Sequence, residues 1–312
     1  MTTEKTKLLS SQHSTSLVIF TSIQILVGTT ANLCVIIYFL VSRQRKRRTA
    51  SDKMILNLAI SDFIALTTYL PWRTHHLMSR EKSDHTRVYA SLFVVCVFST
   101  GNAIICIAFD RFTAVVWPLR YKILVTPKVS STFIAVSWIS AIILGIMHGF
   151  SYMLDKHEEY ELFFASISFA QLVILSCIYG VLFKIARRQR KNISNLSRRS
   201  QAKFTFIRKS VRTAFIIMCM FYATYLPTCI LRVYSAETKS LTDDEKFVVW
   251  GWLNAFTFVN SCCNPFLYFF GMESQRVEFV KSFQTWMSKY SNDEHACSRQ
   301  PNNNSNEVED KV

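Results

Sequence analysis

Charged residues are scarce in this sequence. Only 18% of its 312 residues are Asp, Glu, Lys or Arg, whereas half are hydrophobic and 25 are Phe. Soluble domains carry about a quarter charged residues, so this composition excludes an ordinary soluble domain. A bilayer-spanning helix needs about 20 largely apolar residues. Six uncharged stretches reach that length: residues 17–41, 88–109, 129–154, 162–183, 213–231 and 247–272.

A seventh apolar stretch, residues 54–72, is interrupted by a single acid, Asp62. We interpret it as a span that carries one functional carboxylate, because a charge at the bilayer centre costs about 2.5–3.5 kcal/mol on insertion scales. The sequence therefore predicts an all-α membrane protein, a bundle of seven transmembrane helices. An odd number of spans places the two termini on opposite sides of the bilayer.

Acidic residues are absent between the fifth and sixth spans, where residues 184–212 contain eleven Lys or Arg. Residues 43–48 add five more, whereas residues 155–161 contain four acids. Since basic loops stay in the cytoplasm, we predict a multi-pass plasma-membrane protein with its N-terminus outside and its C-terminus inside. Residues 73–87 do not follow this rule, because this predicted outer segment has four basic residues and only two acids. The net charge of +15 is thus mostly a topology signal, and we expect no nucleic-acid partner.

Cysteine is missing from every predicted outer loop, although the chain has nine. No pair has metal-binding C-x-x-C spacing, so we expect neither a structural disulfide nor a zinc site. Internal repeats with paired mid-span charges, typical of transporters, are also lacking. A polar pair in mid-membrane, which an intramembrane hydrolase needs, is lacking too. We therefore predict that the protein is not an enzyme and needs no organic cofactor.

Polar residues and prolines recur inside the spans in a fixed order. Each position is weak by itself, but one set occurs in each span, at regular spacing. They are Gly28 and Asn32; Asn57-Leu-Ala-Ile-Ser-Asp62; Asp110-Arg111-Phe112 with Pro118-Leu119; Trp138; Tyr179; Phe221 with Pro227; and Asn264-Pro265-Phe266-Leu267-Tyr268. Over about residues 17–287 this order resembles the rhodopsin-like (class A) family of G-protein-coupled receptors.

The resemblance implies a function. A receptor of this family passes an extracellular signal to a heterotrimeric G protein by moving its sixth helix outward, and arrestin and a receptor kinase are further expected partners. The alternative is a receptor-fold protein that does not signal, such as a decoy or a partner subunit. The residues implied in activation and coupling are Asp110, Arg111, Leu119, Tyr179, Phe221, Tyr225, Pro227, Asn264, Pro265 and Tyr268.

Family members often bind sodium beside the carboxylate that corresponds to Asp62. The resemblance places Thr100, Asn260, Ser261 and Asn264 around it, and hard cations take such oxygen ligands. The alternative is a hydrated Asp62 bonded to Asn264 without an ion.

The chain ends flank the predicted receptor domain, residues 17–271. Residues 1–16 are predicted to be extracellular. Residues 272–288 carry apolar side chains at helical spacing and predict an amphipathic eighth helix on the inner membrane surface. Residues 289–312 are predicted to form a disordered cytoplasmic tail.

Four positions depart from the family pattern. Thr86 replaces the usual disulfide cysteine, Gln171 a proline in the fifth span, and Tyr225 a tryptophan in the sixth. Ile207 stands where many members have an acid that holds the arginine corresponding to Arg111. In the first two departures and in its short second outer loop, the chain is similar to the branch of the family that contains melanocortin receptors.

The ligand is not identified by the sequence. Amine receptors carry an aspartate where this chain has Phe93, and opsins a lysine where it has Phe258, so monoamines and retinal are disfavoured. Aromatic and cationic residues in the outer halves of the spans suit a peptide, a lipid or an anionic small molecule, although aromatic residues there also serve as membrane anchors. The candidate pocket residues are Trp72, Arg73, His76, Tyr89, Phe93, Arg232, Trp250 and Asn254.

Overall fold

The computed structural model of the chain describes residues 2–42, 49–79, 86–154, 156–190, 198–237 and 243–271, together with positions 284 and 288. These residues form helices almost throughout. The helices are α1 Thr2–Ser42, α2 Ala50–Thr67, α3 Tyr69–Ser79, α4 Thr86–Val116, α5 Tyr121–Leu124, α6 Pro127–Met153, α7 His157–Arg190, α8 Arg198–Glu237, α9 Asp243–Thr257 and α10 Val259–Gly271.

Six of the predicted spans correspond to helical segments long and apolar enough to cross a bilayer. Within the described residues these segments are Gln12–Leu40, Ala50–Met78, Arg87–Val116, Pro127–Ser151, Leu162–Ile185 and Val211–Leu231. The seventh predicted span is divided between α9 and α10. At the junction the Phe258 amide donates to the Ala255 carbonyl at 3.2 Å, three residues back rather than four, so the helix tightens there.

The second span is also divided, between α2 and α3. The break follows from Pro71, which has no amide hydrogen to donate and whose ring crowds the preceding turn. The Thr68 amide closes α2 on the Ile64 carbonyl at 2.9 Å, and the Thr68 hydroxyl donates to the same carbonyl at 2.6 Å. Tyr69 then begins α3.

Helices extend further beyond the membrane than the sequence predicted. We expected a loop over residues 184–212, but α7 runs to Arg190 and α8 begins at Arg198. Residues 2–16, predicted only as an outer terminus, belong to α1. Straight-chain Lys, Arg and Gln side chains are good helix formers, so a hydrophobic run does not mark where a helix ends.

The second and third spans lie at the centre of the bundle. In their most apolar windows 67% of the residues are buried, against 22% in the first and fourth spans. The first and fourth spans therefore turn most of their side chains away from the bundle, whereas most of those of the second and third spans are buried within it.

Helices α4 and α6 pack closely at a glycine. A Cβ atom added at Gly145 would lie 2.3 Å from Val95 Cγ2 and 3.0 Å from the Ser91 carbonyl oxygen, whereas one added at Gly180 would meet nothing within 4 Å. We expect Gly145→Ala to cost about 1–3 kcal/mol of stability by overpacking. Gly180→Ala should stabilise α7 by up to about 1 kcal/mol. Thermal unfolding of the purified protein in detergent checks both, and equal midpoints for the two variants would contradict this packing.

The chain divides into two compact units, Met1–Met272 and Glu273–Val312. Apart from positions 284 and 288, the second unit lies outside the described residues. The predicted eighth helix over residues 272–288 and the tail over residues 289–312 therefore stay predictions.

Candidate functional site

Asp62 is fully buried in α2 and joins three helices. The Thr100 hydroxyl of α4 donates to its Oδ1 at 3.2 Å, and the Ser261 hydroxyl of α10 donates to the same oxygen at 2.7 Å. The Asn264 amide, also in α10, donates to Oδ2 at 2.7 Å. Three of the four residues that the resemblance placed around Asp62 thus contact it directly.

The fourth, Asn260, is fully buried but makes no hydrogen bond to Asp62. Within the described residues neither its side-chain nitrogen nor its oxygen has a partner, and the Asn264 side-chain oxygen also lacks one. Buried polar groups are almost always paired with protein, water or an ion. The neighbourhood of Asp62 therefore has oxygen atoms available to a further ligand.

Arg111, near the end of α4, pairs with its neighbour in sequence. One guanidinium nitrogen lies 3.4 Å from the Asp110 carboxylate, and the two side chains are 12% and 1% exposed. Asp110 is itself held on both oxygens: the Ser51 hydroxyl donates at 2.7 Å and the Tyr121 hydroxyl at 2.6 Å. We call these four residues the arginine cradle.

The sequence did not predict the part that Ser51 and Tyr121 play in this site. Ser51 lies at the start of α2 and Tyr121 begins α5, and the motif around Asp110 does not indicate that either residue reaches it. Burial, with the neighbouring Asp110 carboxylate, raises the pKa of Tyr121 to about 12. The phenol therefore remains protonated near neutral pH and acts as a permanent hydrogen-bond donor to Asp110.

Among the side chains that the structure describes, the other residues implied in coupling make no hydrogen bond to the arginine cradle. Tyr179 is buried, its ring 6.1 Å from that of Phe215, and within the described part of the chain it makes no hydrogen bond to Arg111. Leu119 is 91% exposed, as expected of a residue that contacts a partner. The side chains of Tyr268 and Ile207 lie outside the described residues.

The middle of α8 carries the implied activation residues of the sixth span. The Phe221 and Tyr225 ring centroids lie 4.0 Å apart, and the Tyr225 hydroxyl donates to the Val97 carbonyl of α4 at 3.3 Å. Pro227 lies inside α8, as Pro265 does inside α10. Each proline removes one helical hydrogen bond and provides a point of bending.

Gln171, in the place of the family's proline, has a definite role in the fold. Its amide donates to the Asn102 side-chain oxygen at 2.8 Å, and the Asn102 amide donates to the Ser137 carbonyl and the Ser140 hydroxyl, both at 3.1 Å. A polar chain therefore links α7, α4 and α6, and helix-to-helix bonds of this kind stabilise membrane bundles.

Four of the predicted pocket residues belong to one aromatic cluster. Trp72 stacks on Tyr89 with ring centroids 3.8 Å apart, and His76 lies 5.4 Å from Trp72. Tyr69, which the sequence interpretation missed, connects this pair to Phe93, with centroid distances of 6.1 Å to Trp72 and 5.0 Å to Phe93.

The remaining pocket residues are placed less completely. A Cβ atom added at Gly251 would lie 3.8 Å from an Arg73 guanidinium nitrogen, so Arg73 extends toward α9. Trp250 and Asn254 are half-buried on that helix. The Arg232 side chain lies outside the described residues.

A small cavity of about 20 Å³ lies among α4, α7, α8 and α9. It has room for roughly one water molecule, far below the roughly 300–1,000 Å³ of ordinary ligand sites. Aromatic and aliphatic side chains dominate its wall, and of the lining residues the sequence had singled out only Phe93 and Tyr225. The wall consists of Phe93, Val94, Val97, Phe98, Phe164, Ser168, Tyr225, Thr228, Cys229 and Thr257.

Comparison with known proteins identifies the family. The model of the family described as 7 transmembrane receptor (rhodopsin family) matches residues 31–268. The histamine H2 receptor of Rattus norvegicus is 30% identical over 259 residues, which cover 75% of this chain and 70% of the relative. The human histamine H2 receptor is 28% identical with the same coverage. Trace amine-associated receptor 9 of Mus musculus is 24% identical and covers 78% of both chains.

These matches confirm the seven-transmembrane fold and the prediction that the protein is not an enzyme. They do not specify the subfamily. The chain is a multi-pass membrane protein, and it belongs to the rhodopsin family of seven-transmembrane, G-protein-coupled receptors.

Proposed function

We propose that the receptor transmits an extracellular ligand signal to a heterotrimeric G protein through outward movement of the inner part of α8. The arginine cradle carries this proposal. Arg111 is a permanent cation held by a carboxylate that is itself fixed by Ser51 and Tyr121. Such an arrangement can exchange one partner for another, as a switch requires.

Bending at Pro227 supports the sixth-helix part of the mechanism. A proline inside a helix leaves the preceding turn without one hydrogen bond, so a small outer displacement can become a larger one at the far end. The inner end of α8 would then clear the space beside Arg111 for the tail of the G protein, with Leu119 contacting the same partner. Arrestin and a receptor kinase are proposed as further partners on this inner face.

The proposed orientation places the N-terminus outside and residues 191–197 in the cytoplasm, on the strength of the basic residues beside them. An epitope tag inserted at Asn195 should therefore bind antibody only after the cells are permeabilised. A tag placed before Leu17 is the matched control and should be labelled on intact cells. Labelling of the Asn195 tag on intact cells would contradict the orientation.

The chemistry of the ligand is a separate proposal. The relatives named above are receptors for histamine and trace amines, which favours an amine. Against it, Phe93 occupies the position of the amine counter-ion. The acids whose side chains are described, Asp52, Asp62 and Asp110, are the capping, central and cradle residues already assigned, so none of them lines the cavity or the aromatic cluster.

We therefore propose an anionic or uncharged ligand bound near the aromatic cluster at the outer ends of α3 and α4. Arg73 and His76 lie on α3 beside Trp72, and the Trp72–Tyr89 stack offers a broad apolar surface. The small cavity holds only about one water molecule, so a deep ligand would have to displace side chains of its wall such as Phe93. A peptide, a lipid or an anionic small molecule fits this surface.

Sodium binding beside Asp62 is also proposed. The buried oxygens of Asn260 and Asn264 have no described partner, and they supplement the oxygens of Asp62, Ser261 and Thr100. This set fits a hard cation, which takes oxygen ligands. When bound, the ion would neutralise the carboxylate in mid-membrane. Water alone in the same place is the alternative.

Loosening the cradle tests the coupling proposal. Tyr121→Phe removes the 2.6 Å hydrogen bond to Asp110. A lost hydrogen bond is worth about 1 kcal/mol, so the active fraction should rise about five-fold while it is the minor state. Basal second-messenger levels at matched surface expression measure this. Ser51→Ala should act in the same direction.

The matched control is Tyr160→Phe, because the structure gives the half-buried Tyr160 hydroxyl no hydrogen bond to a described residue. It should leave basal signalling unchanged. If neither Tyr121→Phe nor Ser51→Ala changes basal signalling through any G-protein class, the proposed role of the arginine cradle is wrong and the non-signalling alternative is favoured.

A further inference from the structure

The turn between the third and fourth spans exposes apolar side chains at the edge of the membrane. Trp117 is 46% exposed, Ile123 76% and Leu124 43%. These residues lie between the span that ends at Val116 and the one that begins at Pro127. Three exposed apolar side chains within eight residues make this turn a candidate surface for contact with something other than water.

The same turn is fixed to the bundle from its other side. Tyr121 donates to Asp110, and Val125 is only 5% exposed. Tyr121 begins α5 and Val125 directly follows its last residue, and both are turned toward the bundle, whereas Ile123 between them is exposed. The backbone is closed by bonds from Leu124 to Arg120 at 2.9 Å and from Val125 to Tyr121 at 2.8 Å. The bonded turn thus holds the Ile123 side chain outward.

Cations accompany these apolar side chains. Arg120, Lys122 and Lys128 are exposed, and none of them pairs with an acid among the described residues. The sequence contains no Asp or Glu from Trp117 to Leu154. On the neighbouring helix α2, the Asp52 carboxylate accepts a hydrogen bond from the Thr49 amide and forms no ion pair with these cations.

We propose that Trp117, Ile123 and Leu124, with Arg120 and Lys122, form a binding surface for anionic phospholipid. Apolar and aromatic side chains mixed with cations at the membrane boundary are the pattern of interfacial anchors. Each Lys or Arg near an anionic bilayer strengthens binding electrostatically. A G protein is the competing occupant, but the turn joins two spans directly, so the bilayer is already beside it.

Lipid-specific quenching of Trp117 tests the proposal without any G protein. The full-length receptor is placed in nanodiscs in which either phosphatidylserine or phosphatidylcholine, at equal mole fraction, is brominated near the headgroup end of its chains. The fluorescence of Trp117 is obtained as the difference from Trp117→Phe. We expect brominated phosphatidylserine to quench it more strongly than brominated phosphatidylcholine.

The double variant Arg120→Glu and Lys122→Glu should lower the relative affinity for phosphatidylserine on the order of ten-fold. Lys156→Glu, at an exposed position in the turn after α6, is the matched control and should keep the preference. If the double variant misfolds in detergent, Arg120→Gln and Lys122→Gln separately serve the same purpose. Equal quenching by both lipids, or a preference that survives these changes, would overturn the proposal. The proposal would also be overturned if neither brominated lipid quenched Trp117, a result that would favour a protein partner at this surface.

Discussion

Replacing Asp62 by asparagine is expected to make the stability of the receptor insensitive to sodium. In the unmodified protein, sodium chloride should raise the unfolding temperature relative to choline chloride at equal ionic strength. An ion at ten times its Kd stabilises the folded state by about 1.4 kcal/mol. Asparagine keeps one oxygen and the size of the side chain but loses the charge that the ion neutralises. Thermal unfolding in detergent gives the difference directly.

Asp52→Asn is the matched control, because Asp52 is the acid at the start of the same helix and caps the Thr49 amide at 3.0 Å. It should keep the sodium response. A response that survives Asp62→Asn would place the ion elsewhere. No response in the unmodified protein would favour a hydrated Asp62, bonded to Thr100, Ser261 and Asn264 as the structure has it.

Substitutions at Arg111 and Ile207 are expected to reduce basal signalling by different routes. Arg111→Ala removes the cation that meets the G protein, so activity should fall to that of cells with empty vector. Ile207→Glu introduces an acid at the position where many family members have one that pairs with the arginine corresponding to Arg111. It should stabilise the inactive state by about 1 kcal/mol. Basal activity should then fall several-fold. Second-messenger levels at matched surface expression are the readout.

Ile207→Gln separates charge from size in this experiment. It introduces a polar side chain of similar length without the charge, so it should retain most basal activity. Equal loss with Gln and Glu would mean that the position acts through packing and not through an ion pair with Arg111.

The fold could be predicted because its signals are local. An uncharged run of about 20 residues identifies a span without knowledge of its neighbours. The order of Asp62, Arg111, Pro227 and Pro265 then indicated the family, which the match over residues 31–268 confirms. The contacts of Asp62 with Thr100, Ser261 and Asn264 followed from the same resemblance.

Pairings between distant helices could not be predicted in this way. Tyr121 and Ser51 reach Asp110 only because α2, α4 and α5 pack together, and no spacing in the sequence encodes that contact. The bond from Gln171 to Asn102 likewise appears in the sequence only as a missing proline. Buried polar contacts depend on how helices are rotated against one another, which hydrophobicity alone does not fix.

The predicted positions of some helix ends were wrong for a related reason. The charges of residues 184–212 predicted a loop, yet α7 and α8 continue into it from both sides. Charge reports where water begins, whereas a helix ends only where a cap, a glycine or a proline stops it. The division of the seventh span at Phe258 had no proline at the break to indicate it.

Nucleotide exchange on purified G proteins tests the proposed function most directly. The unmodified receptor and Arg111→Ala would be reconstituted in nanodiscs, each with one member of every G-protein class, and exchange would be measured against receptor-free nanodiscs. Because no acid at position 207 restrains Arg111, we expect the unmodified receptor to accelerate exchange on at least one class without ligand and Arg111→Ala to leave it at the receptor-free rate. A folded, unmodified receptor that accelerates exchange on none of them, in anionic lipid and at low sodium, would contradict the proposed coupling.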